Sequence, residues 1–130
     1  MRVCVIDDDE IFHFIISRQI AMVSDDVELM SFLNSAEALK FLTANVGDDN
    51  KMPDLILLDI LMPEVNGLDL ARQLKKVMRK EIPVCFITSS LYAPMLDKVK
   101  RSPLFYKLLI KPIQFEQLEE LLDDTQAVVS

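Results

Sequence analysis

Asp7, Asp8, Asp59, Thr88 and Lys111 are the residues of this chain whose types could do chemistry together. Each closes a short apolar run: Val3 to Ile6, Leu55 to Leu58, Val84 to Ile87 and Phe105 to Ile110. Carboxylates brought together repel one another, so ionising all of Asp7, Asp8 and Asp59 is costly unless a cation sits between them. Mg²⁺ takes oxygen ligands in an octahedron and usually keeps waters, so two carboxylates and a main-chain carbonyl would make an ordinary partial shell for it. An ammonium and a hydroxyl nearby, Lys111 and Thr88, supply the positive charge and the donor that a phosphoryl group needs. The set points to a metal plus a phosphoryl group.

What must position these side chains is an alternation of apolar runs and amphipathic segments. Strands are predicted at Val3–Ile6, Glu28–Leu33, Asp54–Ile60, Pro83–Thr88 and Phe105–Ile110. Between and after them, helices are predicted from Glu10 to about Val23, Ala36 to about Val46, Leu68 to Lys80, Pro94 to Arg101 and Gln114 to about Gln126. Continuous runs such as Leu55-Ile56-Leu57-Leu58 suit strands covered on both faces. The expectation is an α/β fold, a five-stranded parallel sheet with five helices on both faces, built from right-handed crossovers. In such sheets ligands bind beyond the carboxyl ends of the strands, where strand order reverses. The five residues named above would all gather at that edge.

Composition removes other chemistries. The 130 residues, 51% of them apolar, predict a single domain spanning 1–130 with no effector domain. Fourteen basic against twenty-one acidic residues give a net charge of −7, which argues against nucleic acid or an anionic membrane as partner. Only two glycines, Gly47 and Gly67, are present, so neither a dinucleotide-binding glycine turn nor a Walker A loop can be written. One histidine and two distant cysteines rule out the usual zinc spacings. With no signal-peptide pattern and no long uncharged apolar run, the expected location is the cytoplasm, with both thiols reduced.

The residues resemble the receiver domains of two-component response regulators, the CheY-like, flavodoxin-like fold with strand order 2-1-3-4-5. The resemblance runs from Val3 to about Leu122. It rests on Val5-Ile6-Asp7-Asp8-Asp9, on Pro53-Asp54-Leu55-Ile56-Leu57-Leu58-Asp59-Ile60-Leu61-Met62-Pro63-Glu64-Val65-Asn66-Gly67, on Pro83-Val84-Cys85-Phe86-Ile87-Thr88-Ser89 and on Ile110-Lys111-Pro112. It implies a stand-alone phosphorylation switch. Asp59 would accept the phosphoryl group from a phosphohistidine of a sensor histidine kinase or histidine phosphotransfer protein. Mg²⁺ or Mn²⁺ would be held by Asp8, Asp59 and the main-chain carbonyl of Leu61, with Asp7 helping through water. Lys111, its bond to Pro112 typically cis, would neutralise phosphoryl charge. Thr88 would move onto the phosphoryl group and shift the surface of the fourth helix, fifth strand and fifth helix toward a downstream protein target. The chain would be no enzyme beyond catalysing its own phosphorylation and dephosphorylation.

Other readings were open. Strand-end acids also cap helices, and a receiver-like module can signal by binding alone, without phosphorylation. A phosphatase of the haloacid dehalogenase type needs D-x-D followed by Gly and Thr, which Asp7-Asp8-Asp9-Glu10-Ile11 lacks. His13 is read as a surface or packing residue, and Cys4 and Cys85, expected about 10 Å apart, as core filling. The first helix carries Ile11, Phe12, Phe14, Ile15, Ile16 and Ile20, more than one face can cover. They either thicken the core or leave an apolar surface where receivers dock kinase helices. Two features depart from the family pattern: Leu108 where many receivers have Tyr or Phe, with Tyr106 and Tyr92 the nearest aromatic substitutes, and Leu104-Phe105 where Gly-Ala is common. Leu61 and Ser90 stand two residues after Asp59 and Thr88, positions that influence access of attacking water in the family.

Overall fold

A computed structural model describes residues 1–89 and 93–129. The strands β1 (Arg2–Ile6), β2 (Glu28–Phe32), β3 (Leu55–Asp59), β4 (Val84–Thr88) and β5 (Phe105–Ile110) alternate with helices α1 (Glu10–Val23), α2 (Ser35–Ala44), α3 (Gly67–Val77), α4 (Ala93–Lys100) and α5 (Phe115–Val129). The strands pair in parallel in the order β2-β1-β3-β4-β5, as predicted.

Strand periodicity divides the interior into two cores. Cys4, Ile6, Ile56, Leu58, Val84 and Phe86 face α2, α3 and α4 through Leu42, Leu70, Leu74 and Val99. Val3, Val5, Leu55, Leu57, Cys85 and Ile87 face α1 and α5 through Phe12, Ile16, Ile20, Leu118 and Leu121. All five residues of β3 and of β4 are buried, which explains why both are apolar up to their last residues, Asp59 and Thr88. Cys4 and Cys85 lie on opposite faces of the sheet, both free and buried, and burial raises both thiols, Cys85 to about 12.

Boundaries moved where side chains compete with the backbone. α2 stops two residues short of the predicted Val46, because the Asn45 amide donates to the carbonyl of Phe41 at 2.7 Å. α3 ends at Val77 and not Lys80: Met78 turns extended while its N–H still reaches Leu74, and its side chain packs on the core. α5 runs on to Val129. In β5 the pairing shifts by one residue between Val84↔Phe105 and Cys85↔Lys107, leaving Tyr106 as an extra residue, a β-bulge. Leu104, just before β5, has φ 69°, a left-handed conformation that a glycine would adopt without strain. No helix among the described residues is long and apolar enough to cross a membrane.

Candidate functional site

β1, β3 and β4 end side by side, and each ends on a candidate residue. Asp7 follows the last residue of β1, Asp59 is the last of β3, and Thr88 is the last of β4. In the register Asp59 pairs with Ile87, so Thr88 stands one step beyond the acceptor on the neighbouring strand. Thr88 in turn pairs with Ile110, and its carbonyl accepts from the N–H of Lys111 at 2.9 Å, which brings the lysine to the same edge. The Lys111–Pro112 peptide bond is cis, as the resemblance implied.

One carboxylate oxygen from each of Asp7, Asp8 and Asp59 lies within 4.8 Å of the others. Asp7 is fully buried, Asp59 nearly so, and Asp8 is exposed at the mouth. The Lys111 ammonium lies 2.7 Å from Asp7 Oδ2 and 3.7 Å from Asp59 Oδ2. The closer contact is an ion pair at hydrogen-bonding distance. Lys111 also sits 4.5 Å from the centroid of the Phe12 ring, which holds the ammonium from the α1 side. Its own proton affinity is raised: burial works against the charge, and Asp7 and Asp59 outweigh it. Asp59 is pushed up to about 6, by burial first and then by the charge of Asp7, against the pull of Lys111.

Lys111 thus pairs with two carboxylates, Asp7 and Asp59, of a cluster of three. The donors are all hard oxygens at a partly open edge, and burial first, then the charge of Asp7, make ionising the acceptor costly. This donor set fits a divalent cation of the Mg²⁺ or Mn²⁺ kind. Leu61 is tied to the acceptor, its N–H donating to Asp59 Oδ1 at 3.2 Å, and its side chain is exposed. Helix capping falls to Asp9, whose Oδ1 accepts from Ile11 N–H at 2.9 Å, so Asp7 and Asp8 are not used as caps.

Two residues matter more than the sequence suggested. Gly67 opens α3 directly beneath the acceptor: a Cβ there would stand 2.3 Å from the main-chain oxygen of Asp59. Its N–H donates to Ile60 O at 2.9 Å, closing the β3–α3 loop, where Glu64 has φ 67°. The signal was Gly67 itself, one of two glycines in the chain. His13, expected to be a surface or packing residue, is half-buried, and its Nε2 lies 2.7 Å from the main-chain oxygen of Asp7.

Around the site, the α1 alternatives resolve in favour of exposure. Phe12, Ile16 and Ile20 fill the core, whereas Ile11, Phe14 and Ile15 are exposed, with Arg18 over the Phe14 ring. Leu108 packs in the α2–α3–α4 core, opposite Phe86. Tyr106 cannot replace an aromatic there, because the bulge turns it to the other core, where it lines a cavity of about 350 Å³ at the opposite end of the sheet. Tyr92 and Ser90 lie outside the described residues.

The carboxyl edge of a doubly wound sheet thus carries three acids, a threonine and a lysine, the arrangement against which known proteins are compared. The sequence profile of the response regulator receiver domain matches residues 3–123, and the chain belongs to that family. It is similar to a two component response regulator from Cytophaga hutchinsonii, with 27% identity, a TM-score of 0.84 and coverage of 97% of this chain and 96% of that one. The Vibrio cholerae chemotaxis protein CheY4, at 19% identity, shares the fold with a TM-score of 0.77 over 95% of this chain and 97% of its own. A probable methanogenesis regulatory protein, FilR2 of Methanothrix harundinacea, is 31% identical over 88 residues, 67% of this chain and 56% of that protein. Response regulator MprA of Mycobacterium sp. (strain KMS) is 29% identical over 89 residues, 68% of this chain and 35% of that protein. The chain therefore spans about a third to about half of these curated relatives.

Proposed function

We propose that the chain is a phosphorylation switch whose acceptor is Asp59, loaded from a phosphohistidine of a sensor histidine kinase or histidine phosphotransfer protein in the cytoplasm. The observation that supports this best is the placing of Asp59: last in its strand, beside Lys111 at 3.7 Å, in a cluster with Asp7 and Asp8. A carboxylate oxygen of Asp59 attacks phosphorus in line. The new O–P bond forms as the P–N bond to the imidazole breaks, and the imidazole nitrogen leaves with the bonding pair. With a pKa of about 6, Asp59 is mostly ionised at neutral pH and remains a better nucleophile than an unperturbed carboxylate. The Lys111 ammonium is placed to take up charge on the phosphoryl oxygens, and Thr88 to donate its hydroxyl to one of them.

Asp7, Asp8, Asp59 and the Leu61 carbonyl would hold Mg²⁺ or Mn²⁺, which when bound supplies the positive charge that Lys111 alone lacks. The chain catalyses only its own phosphorylation and dephosphorylation. Recruitment of Thr88 and Lys111 by the dianionic phosphoryl group biases the α4–β5–α5 surface, and the output is a contact with a protein target. The exposed Ile11, Phe14 and Ile15, on the helix that follows Asp7 and Asp8, offer the donor protein an apolar footing.

Incubation with acetyl phosphate or phosphoramidate, read by intact mass, tests the proposal. Uptake is expected with Mg²⁺ and not in chelator, and Asp59→Asn should abolish it. Labelling that persists in Asp59→Asn would overturn Asp59 as the acceptor, and a wild type unresponsive to both donors and to beryllofluoride would favour a module that signals by binding alone.

A further inference from the structure

We propose that His13 is a positioning residue for the metal-binding acids, setting the place of the Asp8 carboxylate through the main chain. The inference rests on the phosphoryl-switch reading above and adds a residue to it. Asp8 makes no hydrogen bond or ion pair among the described residues, so its backbone alone sets where its carboxylate can reach. That backbone begins at Asp7, the first residue past β1, where the ladder no longer dictates the carbonyl's direction.

Besides the ion pair with Lys111, three hydrogen bonds hold Asp7. Its N–H donates to Phe32 O at 3.1 Å, and its Oδ1 accepts from Asp9 N–H at 2.9 Å. The third comes from His13, whose Nε2 is 2.7 Å from the Asp7 carbonyl oxygen. A carbonyl only accepts, so Nε2 must carry the proton. Nδ1 is buried with no partner among the described residues, a setting in which a bare ring nitrogen costs less than an N–H. The peptide joining Asp7 to Asp8 is planar. Holding its oxygen toward α1 therefore fixes the opposite direction for the Asp8 N–H, and with it the Asp8 Cα. His13 is itself anchored by its own N–H, which donates to Asp9 O at 3.3 Å in the first turn of α1. The ring thus ties the loop bearing Asp7 and Asp8 to a rigid helix.

The test compares the full-length wild type, His13→Phe, which keeps the ring but loses the donor, and His13→Gln, whose amide nitrogen reaches about as far as Nε2. Mn²⁺ affinity is read by paramagnetic resonance of the free ion, and acetyl phosphate uptake in parallel. Loss of a group that orients a metal ligand costs 10-fold or more, so His13→Phe should bind Mn²⁺ roughly 10-fold more weakly, with His13→Gln recovering to within about threefold of wild type. Wild-type affinity in His13→Phe overturns the proposal, and so does equal weakness of both variants, which would assign the effect to ring packing. Nitrogen NMR of the metal-free wild type keeps the proposal testable if His13→Phe fails to fold: an Nε2–H tautomer supports it and an Nδ1–H tautomer overturns it. A wild type that neither binds Mn²⁺ nor takes up phosphate would overturn the switch reading itself, whereas normal wild-type behaviour with an unaffected His13→Phe removes this inference alone.

Discussion

Replacing Asp59 with Asn should stabilise the metal-free protein, by an amount that grows with pH. Asp59 carries its proton up to about pH 6 in the folded chain, against 3.8 for an unperturbed carboxyl. The folded state therefore binds more protons than the unfolded state between these values, and stability falls as pH rises through them. The penalty is absent below pH 3.8 and complete above about pH 6. Fully developed, a displacement from 3.8 to about 6 corresponds to about 3 kcal/mol. The acceptor is itself nearly buried, but exposed Asp8 marks an open mouth beside it, and solvent screening there lowers the expected amplitude to about 1–2 kcal/mol. Asn keeps the shape and can still accept from Leu61 N–H, but it never ionises. Urea unfolding in EDTA, followed by circular dichroism because the chain has no tryptophan, measures the difference. Asp59→Asn is expected to be more stable than wild type by about 1–2 kcal/mol at pH 8 and by about half as much at pH 5. Saturating Mg²⁺ should narrow the gap, because it favours the wild type more. A difference that is flat with pH, or that widens toward acid, would refute the raised pKa of Asp59.

Other outcomes follow from particular contacts. Gly67→Ala places a carbon 2.3 Å from the Asp59 main-chain oxygen, so it should cost about 1–3 kcal/mol in urea unfolding and slow phosphoryl uptake. At Leu104 the usual ranking of small residues should reverse: with φ 69°, Leu104→Gly should be about 1 kcal/mol more stable than Leu104→Ala, and the opposite order would show that the turn relaxes. Phe14→Glu and Ile15→Glu alter exposed side chains; they should leave acetyl phosphate uptake unchanged while slowing transfer from a phosphohistidine protein. The apolar Leu61 at the mouth cannot orient a water, so the phosphorylated form should outlast seconds, and Leu61→Gln should shorten its lifetime in a dephosphorylation time course.

The parts most legible in the sequence were those where one residue type admits one environment. Continuous runs such as Leu55 to Leu58 fit only a strand covered on both sides, and acids ending such runs had to reach a solvent edge. The strand ends Asp59, Thr88 and Lys111 were found by that logic, and the structure brings all three to one edge. Helix ends were less legible because they depend on which neighbour a side chain meets. Asn45 turning back on Phe41 leaves no periodic trace. The tie between His13 and the Asp7 carbonyl was hidden for a similar reason: a single histidine on an apolar helix looks alike whether it packs or donates. Nor can alternation reveal a bulge, so Tyr106 could not be assigned to a face until its pairing was seen.

The extra residue in β5 divides that strand into two stretches with separate tolerances. Above it, Cys85↔Lys107, Phe86↔Leu108, Ile87↔Leu109 and Thr88↔Ile110 run without a break to Lys111. Below it lie Leu104 and Phe105, the pair that departs from the family's usual Gly-Ala, and their fit depends on contacts at the far end of the sheet. A bulge absorbs a change in length or shape locally. Substitutions can therefore accumulate in the lower stretch over evolutionary time without shifting the lysine relative to the phosphoryl acceptor.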